Sequence, residues 1–479
     1  SRPANSLTWS SGTDPTSMSA TCDPASTPSF RAERWSQAEQ ATEAKKPERS
    51  VDPPWWPRPN HHRSRSPSGT LALMFDSLRS VARFKKFESS PGKRRLSRVA
   101  NIGDLRSLAR RRLPSGVFDY IDGAAEDERT YARNEAGFAA IGFSPRVLRG
   151  NARIDTSATL MGRRLPVPLV LAPTGFTRSA HSQGELAVAR AAARAGLPYA
   201  LSTLGTRSIE EVAEVSDGDK WFQVYVWKDR DLVDEMLDRA AVVGYSTAVV
   251  TVDTAMFGRR ERDIRRGFTL PPRIGLGTII DGIRHPGWSW NFMRSEPILF
   301  ANVTGKSVGD GSDPISLADY VADQMDPGRS WEDIDRIRQR WSGKLTIKGI
   351  QTVADAKIAA DRGVDAVILS NHGGRQLDDA PAPIDLLPSV ASALGGGTEI
   401  ILDGGVRRGS DVVKAVALGA KACMIGRAYL YGLAAAGEEG VDFVLEHLAE
   451  GVERTLALIG CHSVEALGPQ YLERLDGPL

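Results

Sequence analysis

Long apolar runs are missing from this 479-residue chain. No stretch approaches the roughly 20 residues needed to cross a bilayer, and the first residues lack the apolar core of a secretory signal. A soluble or peripheral protein is expected. Cysteine is scarce: Cys22, Cys423 and Cys461 are widely spaced and odd in number, which fits neither a disulfide framework nor a zinc site. A reducing compartment, the cytoplasm, is the default. An excess of one charge is also missing, because 61 Lys and Arg face 59 Asp and Glu for a net charge of +2. Nucleic acid is therefore not an expected partner. HExxH, CxxC and EF-hand spacings do not occur, nor does a Rossmann nicotinamide site, so the sequence supports no metal.

What is present divides unevenly. Residues 1–95 are rich in Ser, Pro and Arg and poor in aliphatic periodicity, the composition of a segment that cannot bury a core. They are read as a disordered N-terminal extension, and residues 96–479 as the folded domain. At Ile102 the character changes, with Ile102, Leu105 and Leu108 at helical spacing before the break at Pro114. From Pro168 onward, short apolar runs alternate with amphipathic helical stretches. The runs are PLVLA (168), PYALS (198), WFQVYV (221), TAVVTV (247), LTIKG (345), AVILS (366), EIILD (399) and ACMIG (422). Eight strands in strand–helix order predict an α/β fold, a (β/α)8 TIM barrel. An open parallel sheet is the competing architecture. Residues 264–330 break the rhythm after the fourth strand and form a long loop insertion, read either as a lid or as a membrane-facing segment.

Barrel enzymes carry their catalytic groups at the C-terminal ends of the strands, and every run here ends in polar or small residues. Pro173, Thr174 and Gly175 follow the first, and Ser202 ends the second. Gln223 and Tyr225 lie in the third, Thr251 and Asp253 end the fourth, and Lys348 ends the fifth. The sixth runs into SNHGGRQLD, with Ser370, His372 and Arg375, the seventh into DGGVRRGSD, with Asp403, Gly405 and Arg407, and the eighth into Gly426 and Arg427. Glycines that let backbone amides approach an anion beside helix N-termini, on the last two strands, read as a phosphate site. Tight turns with solvated arginines are the bland reading. Lys348 inside the barrel mouth needs an anionic or electron-rich partner; a structural salt bridge is its alternative. His372 reads as a general base and Arg375 as a carboxylate fork. Asp253 reads as the stabiliser of the imidazolium, or as a helix cap. The run Arg259, Arg260, Arg262, Arg265, Arg266, interleaved with acids, reads as a mainly solvated face.

With those residues in place, the chain resembles the FMN-dependent α-hydroxy acid dehydrogenase and oxidase family over about residues 100–475. APTGF, QVYVWKDRD, TVDT, GRRERDI, IKGI, SNHGGRQLD, LDGGVRRGSDVVKAVALGA and IGRAYLYGLAAAGEEGV carry the resemblance, in the family's order. It implies FMN as cofactor, contacted around its ring by Pro173, Thr174, Gly175, Ser202, Gln223, Thr251, Lys348 and Ser370. Towards the ribityl chain and phosphate it implies Asp403, Gly405, Arg407, Gly426 and Arg427. Tyr120, Tyr225, Arg260 and Arg375 would hold the substrate, with His372 as the base, Asp253 its partner, and Tyr225 and Lys348 completing the catalytic set.

The resemblance further implies oxidation of a small L-2-hydroxy acid, with L-lactate expected. Leu204 stands where glycolate oxidases resemble one another in carrying tryptophan. Gly175 is similar to dehydrogenase members, which favours a quinone or redox-protein acceptor over oxygen. A homo-oligomer, tetramer or larger, and peripheral contact with the inner face of a membrane through 264–330 are expected too. In that segment Trp288, Trp290, Phe292, Ile298 and Phe300, flanked by Arg284 and Arg294, are the expected interfacial residues. An oxygen-using L-2-hydroxy acid oxidase of the glycolate or mandelate type, an FMN-barrel isomerase and a non-enzymatic phosphate-binding or membrane scaffold are the competing functions.

Overall fold

The computed structural model describes residues 88–150, 153–267, 275–303, 320–321 and 323–475. The extension expected over 1–95 lies outside these residues except for its last few. Those few are packed: the helix Pro91–Leu96 is capped by Ser90, whose hydroxyl also donates to Glu439 at 2.7 Å, and Arg95 Nε donates to the Ala435 carbonyl at 2.9 Å. Described structure thus begins slightly before the boundary drawn at 95.

All eight expected runs are strands: β1 (Leu169–Leu171), β2 (Tyr199–Ser202), β3 (Lys220–Tyr225), β4 (Thr247–Thr251), β5 (Lys344–Ile350), β6 (Ala366–Leu369), β7 (Glu399–Asp403) and β8 (Ala422–Ile425). They pair in parallel with their sequence neighbours, and β8 pairs with β1, so the sheet closes into a barrel. Closure in chain order excludes the open sheet, in which the strand order must reverse. Helices follow the strands as read, including Arg230–Val242 after β3, Val353–Asp361 after β5 and Gly409–Ala417 after β7.

Side chains alternate across the barrel wall with period two. Leu171, Phe222, Val250, Ile347, Leu369 and Leu402 face the surrounding helices in one core. Val170, Ala200, Trp221, Val249, Ile368, Ile401 and Met424 fill the barrel in another. The two-stranded segment Ala158–Leu160 and Arg163–Leu165 adds Leu160 and Leu165 to this inner core. Nothing in the sequence had suggested it.

The insertion after β4 folds in part into two helices, Leu276–Arg284 and Pro286–Arg294; its residues 268–274, 304–319 and 322 lie outside the described ones. Two of its aromatics are turned inward, contrary to their expected place at an interface. Trp288 Nε1 donates to the Ser179 carbonyl at 2.8 Å, and Phe300 is buried edge-on against Phe176 with centroids 4.6 Å apart. Trp290 and Phe292 are exposed as expected, and the other exposed apolar side chains of these helices are Leu276, Ile279, Ile280, Ile283 and Met293.

Candidate active site

Period-two alternation gives β2 to β7 one inward side chain each at the C-terminal end, and there the filling changes from apolar to polar. Ser202, Gln223, Thr251, Lys348, Ser370 and Asp403 form this layer, all buried. Above it opens a cleft. Its wall includes Tyr120, Pro173, Thr174, Gly175, Ser202, Tyr225, Arg260, Lys348, His372, Arg375, Asp403, Gly405, Arg407, Gly426 and Arg427. Gln223, Thr251, Asp253 and Ser370 stand directly behind it. Gln223 bonds to Ser202 at 3.1 Å, Thr251 is in register with Lys348, Asp253 bonds to His372, and Ser370 bonds to Lys348 at 2.9 Å. The residues expected to hold cofactor or substrate therefore lie in the wall of one cleft or directly behind it.

His372 leaves β6 in the left-handed region, φ 59°, a conformation that costs a non-glycine residue about 1 kcal/mol or more and clusters at functional sites. Its amide donates to Ser370 Oγ at 3.0 Å, and its Nδ1 lies 3.0 Å from Asp253 Oδ1. Asp253 therefore faces the imidazole rather than capping a helix. Burial holds the His372 pKa below its usual value, opposed by Asp253 and assisted by Lys348. Burial works against ionisation of Asp253, but His372 and Lys348 outweigh it and hold the carboxyl below its ordinary range. A neutral imidazole beside a carboxylate is the arrangement of a base that can take a proton and have the resulting charge stabilised.

Lys348 is not an isolated ammonium. Its Nζ is 2.9 Å from Asp403 Oδ2, and Ser370 Oγ donates to that same oxygen at 2.7 Å. Burial opposes the charge, yet Asp403 and Asp253 keep the lysine pKa above its usual value. The salt bridge does not withdraw Lys348 from the cleft, whose wall it still lines.

Arginines line the edge of the cleft. Arg375 Nη1 donates to the Tyr120 and Gly123 carbonyls at 2.6 and 2.8 Å, and its guanidinium stacks over the Tyr120 ring at 5.0 Å. Burial, reinforced by nearby Arg260, lowers its pKa to about 10, so it remains charged at neutral pH. Arg260 Nε is buried without a hydrogen-bond partner. Of the arginine run, Arg259, Arg265 and Arg266 lie at the surface, whereas Arg260 enters the cleft and Arg262 turns to the buried Asp122.

At the other end, Gly404 and Gly405 take φ values of 114° and 82°, which β-carbon-bearing residues avoid. A Cβ on Gly405 would lie 2.3 Å from the Asn134 carbonyl, so the chain passes there only as glycine. Arg407 and Arg427 flank this turn in the same cleft. Arg427 is oriented by the carbonyls of Gly373 and Gly123, both at 2.8 Å. Gln223 Nε2 and Thr251 Oγ1 are buried without partners, an expensive state unless a ligand completes them. Orphaned amide and hydroxyl groups and an ammonium at one end, and paired glycines with two guanidiniums at the other, fit a flat acceptor-rich ring that carries a phosphate. The Thr174 hydroxyl is taken up by Tyr429 at 2.7 Å and Thr177 at 3.0 Å.

Comparison with known proteins decides which ring. The family model for FMN-dependent dehydrogenases matches residues 109–474. The chain belongs to this family. The FMN-dependent dehydrogenase fold and cofactor are therefore those of this protein, a flavoprotein oxidoreductase. A Mycobacterium tuberculosis protein provisionally named an L-lactate dehydrogenase is 45% identical over 405 residues, 84% of this chain and 96% of its own. The (S)-mandelate dehydrogenase of Pseudomonas putida is 42% identical over 78% of this chain and 93% of its own. Among solved structures, a monotopic membrane (S)-mandelate dehydrogenase superposes with a TM-score of 0.76 at 41% identity, covering 79% of this chain and all of that one.

Several wall residues of this FMN-dependent dehydrogenase escaped the sequence reading of its site. Phe257, Gly373 and Leu430 line the cleft, but an apolar residue carries no signal of its own, and Gly373 was overshadowed by His372 and Arg375 on either side of it. Among the described residues no cluster could hold a metal ion, and no helix is long and apolar enough to cross a membrane. Cys423 and Cys461 are buried free thiols.

Proposed function

We propose that this enzyme oxidises a small L-2-hydroxy acid, with L-lactate preferred, to the 2-keto acid. The carrying observation is the meeting in one cleft of the His372–Asp253 pair with two guanidiniums, Arg260 and Arg375, beside the polar layer that fits FMN. A base next to a carboxylate-binding fork matches a substrate whose hydroxyl, which gives up its proton on oxidation, adjoins a carboxylate.

In this reading Arg375 and Arg260 bind the substrate carboxylate, and Arg260 Nε gains the partner it lacks. Tyr120 and Tyr225 orient the hydroxyl. Burial raises the Tyr225 pKa above its usual value, with Asp253 adding to the effect, so the phenol stays protonated and donates. His372 Nε2 takes the substrate proton while Asp253 stabilises the imidazolium at Nδ1. FMN supplies the acceptor for the two electrons that leave the substrate. Lys348, held charged by Asp403, presents a fixed positive group to that acceptor.

L-lactate as substrate rests on the L-lactate dehydrogenase relatives, which include a Caulobacter protein 38% identical over 79% of this chain. A quinone or redox-protein acceptor, rather than oxygen, is supported by Gly175, the residue similar to dehydrogenase members, at a position where a Cβ would press on Leu204 Cβ at 3.1 Å. Peripheral membrane contact is supported by the monotopic neighbour and by the exposed apolar face of the insertion helices, with Arg294 stacked over Trp290 at 4.2 Å. An apolar stripe with arginines at its margin suits the headgroup region of a bilayer.

The test is turnover of L-lactate, L-mandelate and glycolate with a soluble quinone analogue, with the keto acid measured directly. Pyruvate from L-lactate at the highest kcat/KM supports the reading. Keto acid from none of the three rejects it.

A further inference from the structure

Four arginines from distant parts of the chain converge on the last turn of the helix Ser115–Asp122. Two of them satisfy its carbonyls, which have no partners within the helix. Arg375 binds the oxygens of Tyr120 and Gly123, and Arg427 binds those of Gly123 at 2.8 Å and Ile121 at 3.2 Å. The other two bind the side chain of Asp122. Arg106 donates to its two oxygens at 2.5 and 2.7 Å, Arg262 Nη1 donates at 2.9 Å, and Tyr431 adds its hydroxyl at 2.7 Å. Asp122 is 0% exposed. A carboxylate offers about four acceptor positions, and here each is used.

The spacing gives this network a consequence for the cleft. Asp122 follows Tyr120 by two residues, and Arg262 follows Arg260 by two. The Asp122–Arg262 bridge therefore ties together the two segments that carry Tyr120 and Arg260, although neither bridging side chain lines the cleft. A second tie supports it. Arg262 Nη2 also binds the Glu128 carboxylate, whose other oxygen accepts the Ala124 amide at 2.9 Å, and the Glu126 amide donates to the Arg259 carbonyl at 2.9 Å.

We propose that Asp122 and Arg262 are positioning residues for the substrate: their buried bridge fixes the separation of Tyr120 from Arg260 and thereby the grip on a small carboxylate. This rests on the reading of Tyr120 and Arg260 as substrate contacts. A role confined to fold stability is the competing account, and the two differ in how substitutions combine. Loss of a positioning residue does little further harm once the group it positions is gone, whereas independent contributions add.

The experiment is a titration of the FMN-loaded protein with oxalate, read from the flavin absorbance and so independent of turnover. Arg262→Met should weaken oxalate binding about tenfold, within the range of coupling between neighbouring residues, and Arg262→Lys should restore part of it. In an Arg260→Met background, Arg262→Met should change affinity less than about twofold. Equal losses in both backgrounds would overturn the proposal. So would unchanged affinity in a folded, yellow Arg262→Met protein, or a wild-type protein that does not bind oxalate. Asp122→Asn should behave as Arg262→Met does; if it does not fold, the Arg262 variants, at a partly exposed position, still decide. Oxalate binding with no turnover of any 2-hydroxy acid would reject the proposed reaction, while the double-variant comparison would still judge the bridge.

Discussion

His372 Nδ1 lies 3.0 Å from Asp253 Oδ1, and while the Asp253 side chain is 1% exposed, that of His372 is 23% exposed and opens onto the cleft. The carboxylate is therefore placed to orient and stabilise the ring, and the ring's other nitrogen is left to the substrate. His372→Gln should keep its yellow FMN, because the orphaned groups and glycines that fit the cofactor are elsewhere. Flavin reduction by L-lactate should fall by about two to four orders of magnitude, the usual worth of a positioned base. Reduction at the wild-type rate would remove His372 from the chemistry.

The same pair sets a pH dependence. The base must be unprotonated in the free enzyme, and burial places its pKa below the ordinary 6.5 despite the opposing pull of Asp253. The kcat/KM should therefore be flat above neutral pH and fall as pH drops through a value below 6.5. Asp253→Asn removes the group that raises this pKa, so the inflection should move further down while the plateau drops. An inflection moving upward in Asp253→Asn would contradict the assignment.

Arg375 is charged, buried and oriented by two carbonyls, so its replacement removes a preset carboxylate partner. Arg375→Met should raise KM for L-lactate by at least about tenfold, about 1.4 kcal/mol or more of lost binding, since bonds to charged groups contribute roughly 1.5–3 kcal/mol. Saturation curves in the two proteins measure this directly. An unchanged KM would assign the carboxylate to Arg260 alone.

Asp122 gives a stability prediction with a definite sign. Burial opposes its ionisation, but Arg106, Tyr431 and Arg262 outweigh it and push the pKa down to about 2, from an ordinary 3.8. A carboxyl with a depressed folded-state pKa stabilises the fold above its unfolded value, and that contribution is lost as pH falls through the folded value. It amounts to about 2 kcal/mol by linkage. The gap in Tm between wild type and Asp122→Asn should thus be largest at neutral pH and narrow between about pH 4 and 2. A gap independent of pH would mean that the charge contributes nothing.

The barrel was legible in the sequence because a parallel strand buried on both faces reads as a continuous apolar run, and all eight runs did so. The site was legible because polar residues at strand ends are anomalous in that pattern: Lys348 after LTI or Asp403 after EIIL stands out where Phe257 or Leu430 does not. Three features were hidden for physical reasons. Asp122 is one acid among several in FDYIDGAAEDE, and only tertiary packing shows that two arginines and a tyrosine share it. The pair Ala158–Leu160 and Arg163–Leu165 is too short for periodicity to register. In the insertion, composition revealed aromatic residues but not their direction, so Trp288 and Phe300 were misplaced at the surface while Ile279 and Ile283 were passed over.

That insertion face makes its own prediction. Ile279→Asp with Ile283→Asp should leave L-lactate turnover with a soluble quinone analogue unchanged and reduce sedimentation with phospholipid vesicles several-fold. Equal sedimentation of the two proteins would remove this face from membrane contact.

The most direct test of the central claim is anaerobic mixing of the FMN-loaded protein with L-lactate and, separately, D-lactate, followed by flavin absorbance. Rapid bleaching by the L-acid alone, with one keto acid formed per flavin reduced, is the predicted result; a flavin left oxidised by L-lactate would contradict the account.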